Sequence, residues 1–301
     1  MSITFRNYTN KMRFTEDFHK VWKFLERINN ENITTPNFLW ARWEWMFSLP
    51  YIDEASLSQI GIWEDDGIIV ALATYETNLG EVYFCVDSHY SYLKSEMLTY
   101  ARLKLKSIKD NNFRALIPND DREMQKAALT QGFLPTQNKE CTSVIYINDS
   151  LNYKLPDGFH ISSMADEYNF SKLERCFWRG FNHEGEPSQT EQARREHETS
   201  SSGPHWNGEL NMKVIAPNGD YAAYCGIWYK KGADYALVEP VCTDPQYRRM
   251  GCGKAAVLEA VKRCGELGAI KAFVGSSQQF YYSIGFCPYS TETWWELINK
   301  E

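Results

Sequence analysis

The strongest constraint on this fold is that the sequence runs through one list of elements twice. In the first half, QIGIWEDDGIIVALATYET (residues 59–77) alternates as strand, acidic glycine turn and strand. A strand at EVYFCVDSHY, a helix at SYLKSEMLTYARLKLKSI, a strand at FRALIP, a helix at DREMQKAALTQGF and a strand at CTSVIYI follow. The second half repeats the order. It has a hairpin at NMKVIAPNGDYAAYCGIWYK, turned at Asn218-Gly219, and a strand at YALVEPVCT. Then come a helix with Val257, Leu258, Val261 and Cys264 at helical spacing, a strand at KAFVG, a short helix at SQQFYYSIGF and a closing strand at TETWWELI. Both halves end their second helix on a Gly-Phe pair, Gly132-Phe133 and Gly285-Phe286, a helix stop followed by an apolar anchor. An offset of about half the chain implies two α/β domains of one fold, residues 1–150 and 155–301, rather than one large sheet. The turn-rich segment NDSLNYKLPDGF (residues 148–159) suits the junction.

Bulk properties narrow the function. No apolar run is long enough for a bilayer, and MSITFRNYTNKMRF lacks the apolar core of a signal peptide, so a cytoplasmic location and no membrane partner are expected. The eight cysteines show neither a CxxC pair nor metal-ligand spacing with histidine, which predicts reduced core thiols and no metal. A net charge of −7 argues against nucleic acid as the main partner. It would suit a small cationic substrate, although a mildly acidic balance is also ordinary for soluble proteins.

The chemistry concentrates in DPQYRRMGCGKAAVLEAVKRC, between a strand and a long helix. Glycines there let the backbone turn sharply and bring N–H groups close to a ligand, and the helix aims its positive end at the same spot. This outlines a phosphate cradle. When Asp87 and Tyr90 are laid on Asp244 and Tyr247, Gly251 and Gly253 fall on Lys94 and Glu96, so the first half lacks the cradle. When the Gly-Phe pairs are superposed, Tyr281 falls on Ala128.

VEPVCTDPQYRRMGCGKAAV resembles motif A of the GNAT superfamily of acetyl-CoA-dependent acyltransferases, with the RxxGxG core as Arg248, Gly251 and Gly253. FYYSIGF resembles the later motif of that superfamily, in which a tyrosine, here Tyr281, stands four residues before Gly-Phe. The resemblance covers residues from about 155 to 301. The first half resembles a degenerate copy, so the whole is similar to a tandem GNAT protein. The resemblance implies a splayed mixed sheet in each domain, with a V-shaped opening between the strand ending at Thr243 and KAFVG. It implies acetyl-CoA as cosubstrate, its pantetheine amides on the backbone of Val241, Cys242 and Thr243. Its pyrophosphate would lie on the N–H groups of Arg249, Met250, Gly251, Cys252, Gly253 and Lys254, with Arg248 or Arg249 adding charge. The Lys254 side chain is given no role.

Acyl transfer to an amine needs a deprotonated nucleophile, a stabilised oxyanion and a proton for the thiolate. Tyr281 can supply that proton, an unperturbed phenol at about 10 lying near an alkyl thiol. Glu239 interrupts the apolar run ALVEPV and is the candidate base; the alternative is a glutamate on a solvated strand face paired with a lysine. Cys242 and Cys252 have no base at an identifying spacing, which favours direct attack in a ternary complex over a covalent intermediate. A small-molecule amine acceptor is expected against residues 176–206, where Trp178, Phe181, His183, Glu184, Glu186, His205 and Trp206 offer acidic and aromatic groups. Two alternatives stay open: a non-catalytic acetyl-CoA-binding module, and an acyltransferase using another donor.

Overall fold

A computed structural model describes residues 2–30, 32–50, 52, 54–148 and 150–297. The chain forms two compact units that do not follow a single cut: residues 1–142 with 289–301, and residues 143–288. Each is a mixed sheet flanked by helices.

The first unit opens with β1 (Ile3–Asn7), α1 (Glu16–Ile28) and α2 (Trp40–Ser48), followed by the strands β2 (Gly61–Asp65), β3 (Ile68–Thr74) and β4 (Glu81–Val86). The β2–β3 hairpin closes on Asp66 and Gly67, both left-handed, as the acidic glycine turn predicted. After β4 come α3 (Lys94–Lys104), β5 (Arg114–Pro118), α4 (Arg122–Thr130) and β6 (Phe133–Tyr146). The strand β12 (Cys287–Leu297) returns from the end of the chain and pairs antiparallel with β5. The order in this unit is β1-β2-β3-β4-β5-β12-β6. Parallel pairing of β4 with β5 covers only Glu81 and Val82 against Arg114 and Ala115.

The second unit takes residues 143–146 of β6 as its outer strand, antiparallel to β11 (Lys271–Val274). It continues with β10 (Tyr235–Thr243), β9 (Tyr221–Tyr229), β8 (Met212–Ile215) and β7 (His160–Ser163). Its helices are α5 (Phe170–Gly180), α6 (Glu191–Ser200), α7 (Cys252–Glu266) and the short α8 (Gln279–Ser283). Asn218-Gly219 turns the β8–β9 hairpin, with Gly219 left-handed and the Ala216 N–H donating to Asp220 O at 2.9 Å. All nine residues of β9 are buried, and Val257, Leu258, Val261 and Cys264 of α7 share its core. Each such aliphatic side chain contributes roughly 1.5–3 kcal/mol by leaving water.

Expected and observed elements differ in several places; the strand read at CTSVIYI, for one, starts at Phe133. The helix read at residues 91–108 starts as a 3-10 turn, Ser88–Leu93, kinked at Tyr90, before α3 begins. The strand read at TETWWELI starts earlier, at Cys287, and Ile298 lies outside the described residues. Among the described residues no helix is long and apolar enough to cross a membrane.

Candidate functional site

The site is built where two strands of the second unit part. β10 pairs parallel with β11 only from Tyr235 to Leu237, against Lys271 to Phe273. Beyond Leu237 its other edge stays paired with β9: Val241, Cys242 and Thr243 oppose Cys225, Tyr224 and Ala223. The edge toward β11 is therefore open over residues 238–243, among the described residues, and offers backbone groups to an extended ligand.

The β9–β10 register shifts between Val238 and Val241, where Glu239 and Pro240 bulge. Gly226 makes the bulge possible, because a Cβ there would lie 2.7 Å from Pro240 Cδ. Glu239 is half-buried at this bulge. A glycine inside a fully apolar strand was the available sequence signal for this close approach, and motif reading passed over it.

After β10 the chain turns on Asp244, buried, which accepts from the Gln246 N–H at 2.9 Å and meets Arg179 Nε at 3.2 Å. Arg248 is extended, Arg249 is left-handed at φ 64°, and Gly251, left-handed at φ 85°, caps α7. No side chain caps this helix, so the first-turn N–H groups of Cys252, Gly253 and Lys254 have no intrahelical partner and point outward with the dipole. Gly253 lies against Thr243, whose Oγ1 would be 2.7 Å from an added Cβ.

The two arginines divide. Arg248 donates to Gly180 O at 2.8 Å, Asn182 Oδ1 at 2.9 Å and Thr243 O at 3.2 Å, tying the end of α5 to the end of β10. Its guanidinium is a brace. Arg249 and Met250 are exposed at the mouth of the turn, leaving Arg249 as the arginine placed to add charge.

Tyr281 on α8 is 8% exposed, its ring against the edges of Phe280 at 5.0 Å and Phe286 at 5.5 Å. Burial, with the Glu239 carboxylate adding, pushes its phenol well above the ordinary value. The near match between an unperturbed phenol and a thiol does not hold here, because desolvation makes the phenolate costly.

Cys242 and Cys252 are both core residues. Cys242 Sγ lies 3.6 Å from Cys176 Sγ, and burial pushes both the Cys242 and the Cys252 thiols up, away from the thiolate a nucleophile needs.

The expected acceptor segment, residues 176–206, spans the end of α5, all of α6 and the turn after it, and its side chains have separate partners. Trp178 Nε1 donates to Glu184 O and Gly185 O, both at 3.1 Å, while its ring lies 4.8 Å from His183. Trp206 packs on a small core that holds Leu173, Cys176, Tyr224 and Cys242. Phe181 is exposed. A contact that sequence reading missed is Glu174 with His197, 3.6 Å apart. Burial lowers His197 to about 4, so the imidazole is neutral.

The matching turn in the first unit begins identically and ends differently. Asp87 accepts from the His89 N–H as Asp244 does from Gln246, and Tyr90 N–H donates to Asp87 O at 2.8 Å as Tyr247 does to Asp244 O at 2.9 Å. From there the 3-10 turn runs directly into α3, whose N-cap Leu93 is already helical. No left-handed turn opens the first helical turn to a ligand. Lys94 stands at that start, its ammonium 2.8 Å from Asp121 and 3.3 Å from Glu123.

Residues 168–286 match the family model described as the acetyltransferase (GNAT) family. No curated protein matches. Among solved structures, the fold is similar to a GCN5-related N-acetyltransferase from Sphaerobacter thermophilus, with TM-score 0.58, 13% identity, and 97% of this chain and 94% of that one covered. It is similar to a tandem GNAT protein from the clavulanic acid biosynthesis pathway, with TM-score 0.59, 12% identity and 98% of each chain covered. Saccharomyces cerevisiae N-myristoyltransferase with bound myristoyl-CoA gives TM-score 0.54 at 12% identity, covering 98% of this chain and 78% of that one.

Proposed function

Because residues 168–286 match the acetyltransferase (GNAT) family model, we propose that the chain moves an acetyl group from acetyl-CoA to a primary amine of a small acceptor. That the chain is an acyltransferase follows from the family; the donor, the acceptor and the residue roles are our reading. The observation that carries it is the combination, in the second unit, of a bare strand edge and an uncapped helix start behind two left-handed residues.

The pantetheine amides pair with the open edge at Val241, Cys242 and Thr243, and the pyrophosphate accepts N–H groups from Arg249 to Lys254 with Arg249 adding charge. Glu239, directly or through one water, takes the proton from the attacking amine. As the new C–N bond forms, the carbonyl electrons move to oxygen, where a backbone N–H near Val241 or Cys242 receives them. The C–S bond then breaks and Tyr281 donates toward sulfur. A phenol with a raised pKa keeps its proton at neutral pH, so it serves as a hydrogen-bond donor until the sulfur charge has formed and the proton can cross. The first unit, without an open cradle, holds no donor of this kind. We place the enzyme in the cytoplasm, acting without a metal.

The test is amine-dependent release of CoA from acetyl-CoA across a panel of primary amines, with Tyr281→Phe as control. CoA release that no amine accelerates, or that Tyr281→Phe leaves unchanged, contradicts the reading.

A further inference from the structure

The last turn of α5 lies directly on the end of β10. A Cβ on Gly180 would stand 2.8 Å from Cys242 Cβ and 3.3 Å from Thr243 N, so only glycine lets the helix end and the strand backbone touch. The stretch it touches is part of β10 beyond its pairing with β11.

Two arginines fasten this contact, one from each chain segment. From α5, Arg179 Nε lies 3.2 Å from Asp244 Oδ2; Asp244 is 3% exposed, and among the described residues it pairs with no other cation. Asp244 Oδ1 accepts the Gln246 N–H at 2.9 Å, and Asp244 O accepts the Tyr247 N–H at 2.9 Å, so the carboxylate that Arg179 compensates also caps the turn leading to the left-handed Arg249 and Gly251. From the far end of that turn, Arg248 returns to α5, donating to Gly180 O and Asn182 Oδ1 while it holds Thr243 O. A buried carboxylate that loses its one cation is left uncompensated; it takes up a proton or moves toward water, and either change loosens what it caps.

The first unit supplies a comparison. Asp87 starts the corresponding turn there, but Arg27 of α1 stands 3.8 Å away and its guanidinium donates to Ile69 O at 2.6 Å. That turn runs straight into α3. The closer pair accompanies the turn that opens a helix start.

We infer that Arg179 is a positioning residue for the donor site, acting through Asp244 with Arg248 as its counterpart. Together they hold the end of α5 on β10 and set the strand edge at residues 241–243 against the helix start at residues 252–254. The inference rests on reading this opening as an acyl-CoA site.

The experiment uses the full chain and has two arms. In the first, hydrogen exchange of the ligand-free protein is followed over residues 244–254 and over residues 257–264 of α7. Arg179→Gln, which removes the charge, should speed exchange over the turn by about tenfold or more and leave the body of α7 unchanged. In the second, calorimetry should find acetyl-CoA weaker by about tenfold or more in Arg179→Gln and back within about threefold of wild type in Arg179→Lys, which restores a cation beside Asp244. Arg248→Lys keeps the charge but loses the fork that reaches three acceptors, so it should weaken acetyl-CoA as Arg179→Gln does, and it stands in if Arg179→Gln does not fold. Exchange that stays unchanged over the turn, exchange that rises equally throughout α7, or an affinity that these variants leave intact would overturn the positioning role. A wild type that takes up no acetyl-CoA would instead overturn the donor assignment, and the first arm, which needs no ligand, would still decide whether Arg179 sets the turn.

Discussion

Gly253 and Thr243 stand so close that a Cβ on the glycine would sit 2.7 Å from the threonine hydroxyl. This contact brings the start of α7 onto the end of β10, so the outward N–H groups and the open strand edge belong to one site. Gly253→Ala should push the helix start off the strand, weaken acetyl-CoA at least tenfold and cost about 1–3 kcal/mol of stability, the usual penalty of overpacking. Calorimetric titration and denaturant unfolding read the two effects separately.

Tyr281→Phe removes the donor and keeps the ring that packs between Phe280 and Phe286. Turnover should fall roughly one hundred to ten thousand fold, with acetyl-CoA affinity changed little. Steady-state kinetics beside a binding titration checks this, and a loss of affinity equal to the loss of turnover would assign the phenol to binding.

Gly226→Ala tests how Glu239, the proposed base, is set. The new methyl would press on the Glu239–Pro240 bulge, so the change should lower stability by about 2 kcal/mol or more and reduce turnover even in the fraction that folds. Activity per folded molecule, measured below the melting transition, separates the two.

Glu292 gives a prediction in pH. Burial pushes its carboxyl from 4.5 up to about 7. Below 4.5 it is protonated in both states. Between 4.5 and 7 the native state keeps a proton that the unfolded chain has released, so stability falls as pH rises through that window and stays lowered above it. The full effect is up to about 3 kcal/mol. Urea unfolding at pH 5 and pH 8 should show this drop in the wild type and a smaller one in Glu292→Gln.

Much of the fold was legible because its signals are local. The Asn218-Gly219 turn, the spacing of Val257, Leu258, Val261 and Cys264, and the strand-to-helix glycines each work within a few residues. The allocation of the final strands was not legible. β6 gives residues 143–146 to the second unit while β12 pairs with β5, and nothing in either stretch records a partner more than a hundred residues away. At the site, Gly251, Gly253 and Tyr281 follow from the motif, whereas the brace made by Arg248 depends on Gly180 and Asn182, to which no spacing points. Glu292 reads as one polar residue in an alternating strand, and its burial emerges only once the strands around it are in place.

The central claim is one acyl-CoA site per chain, at the turn capped by Gly251. Titration calorimetry of acetyl-CoA into the wild type and into Gly251→Glu tests it most directly, since Gly251 is left-handed and a glutamate there would bring a strained backbone and a negative charge into the cradle. The account predicts a single site in the wild type and none in the variant. No binding to the wild type, or two sites of which any survives the substitution, would contradict it.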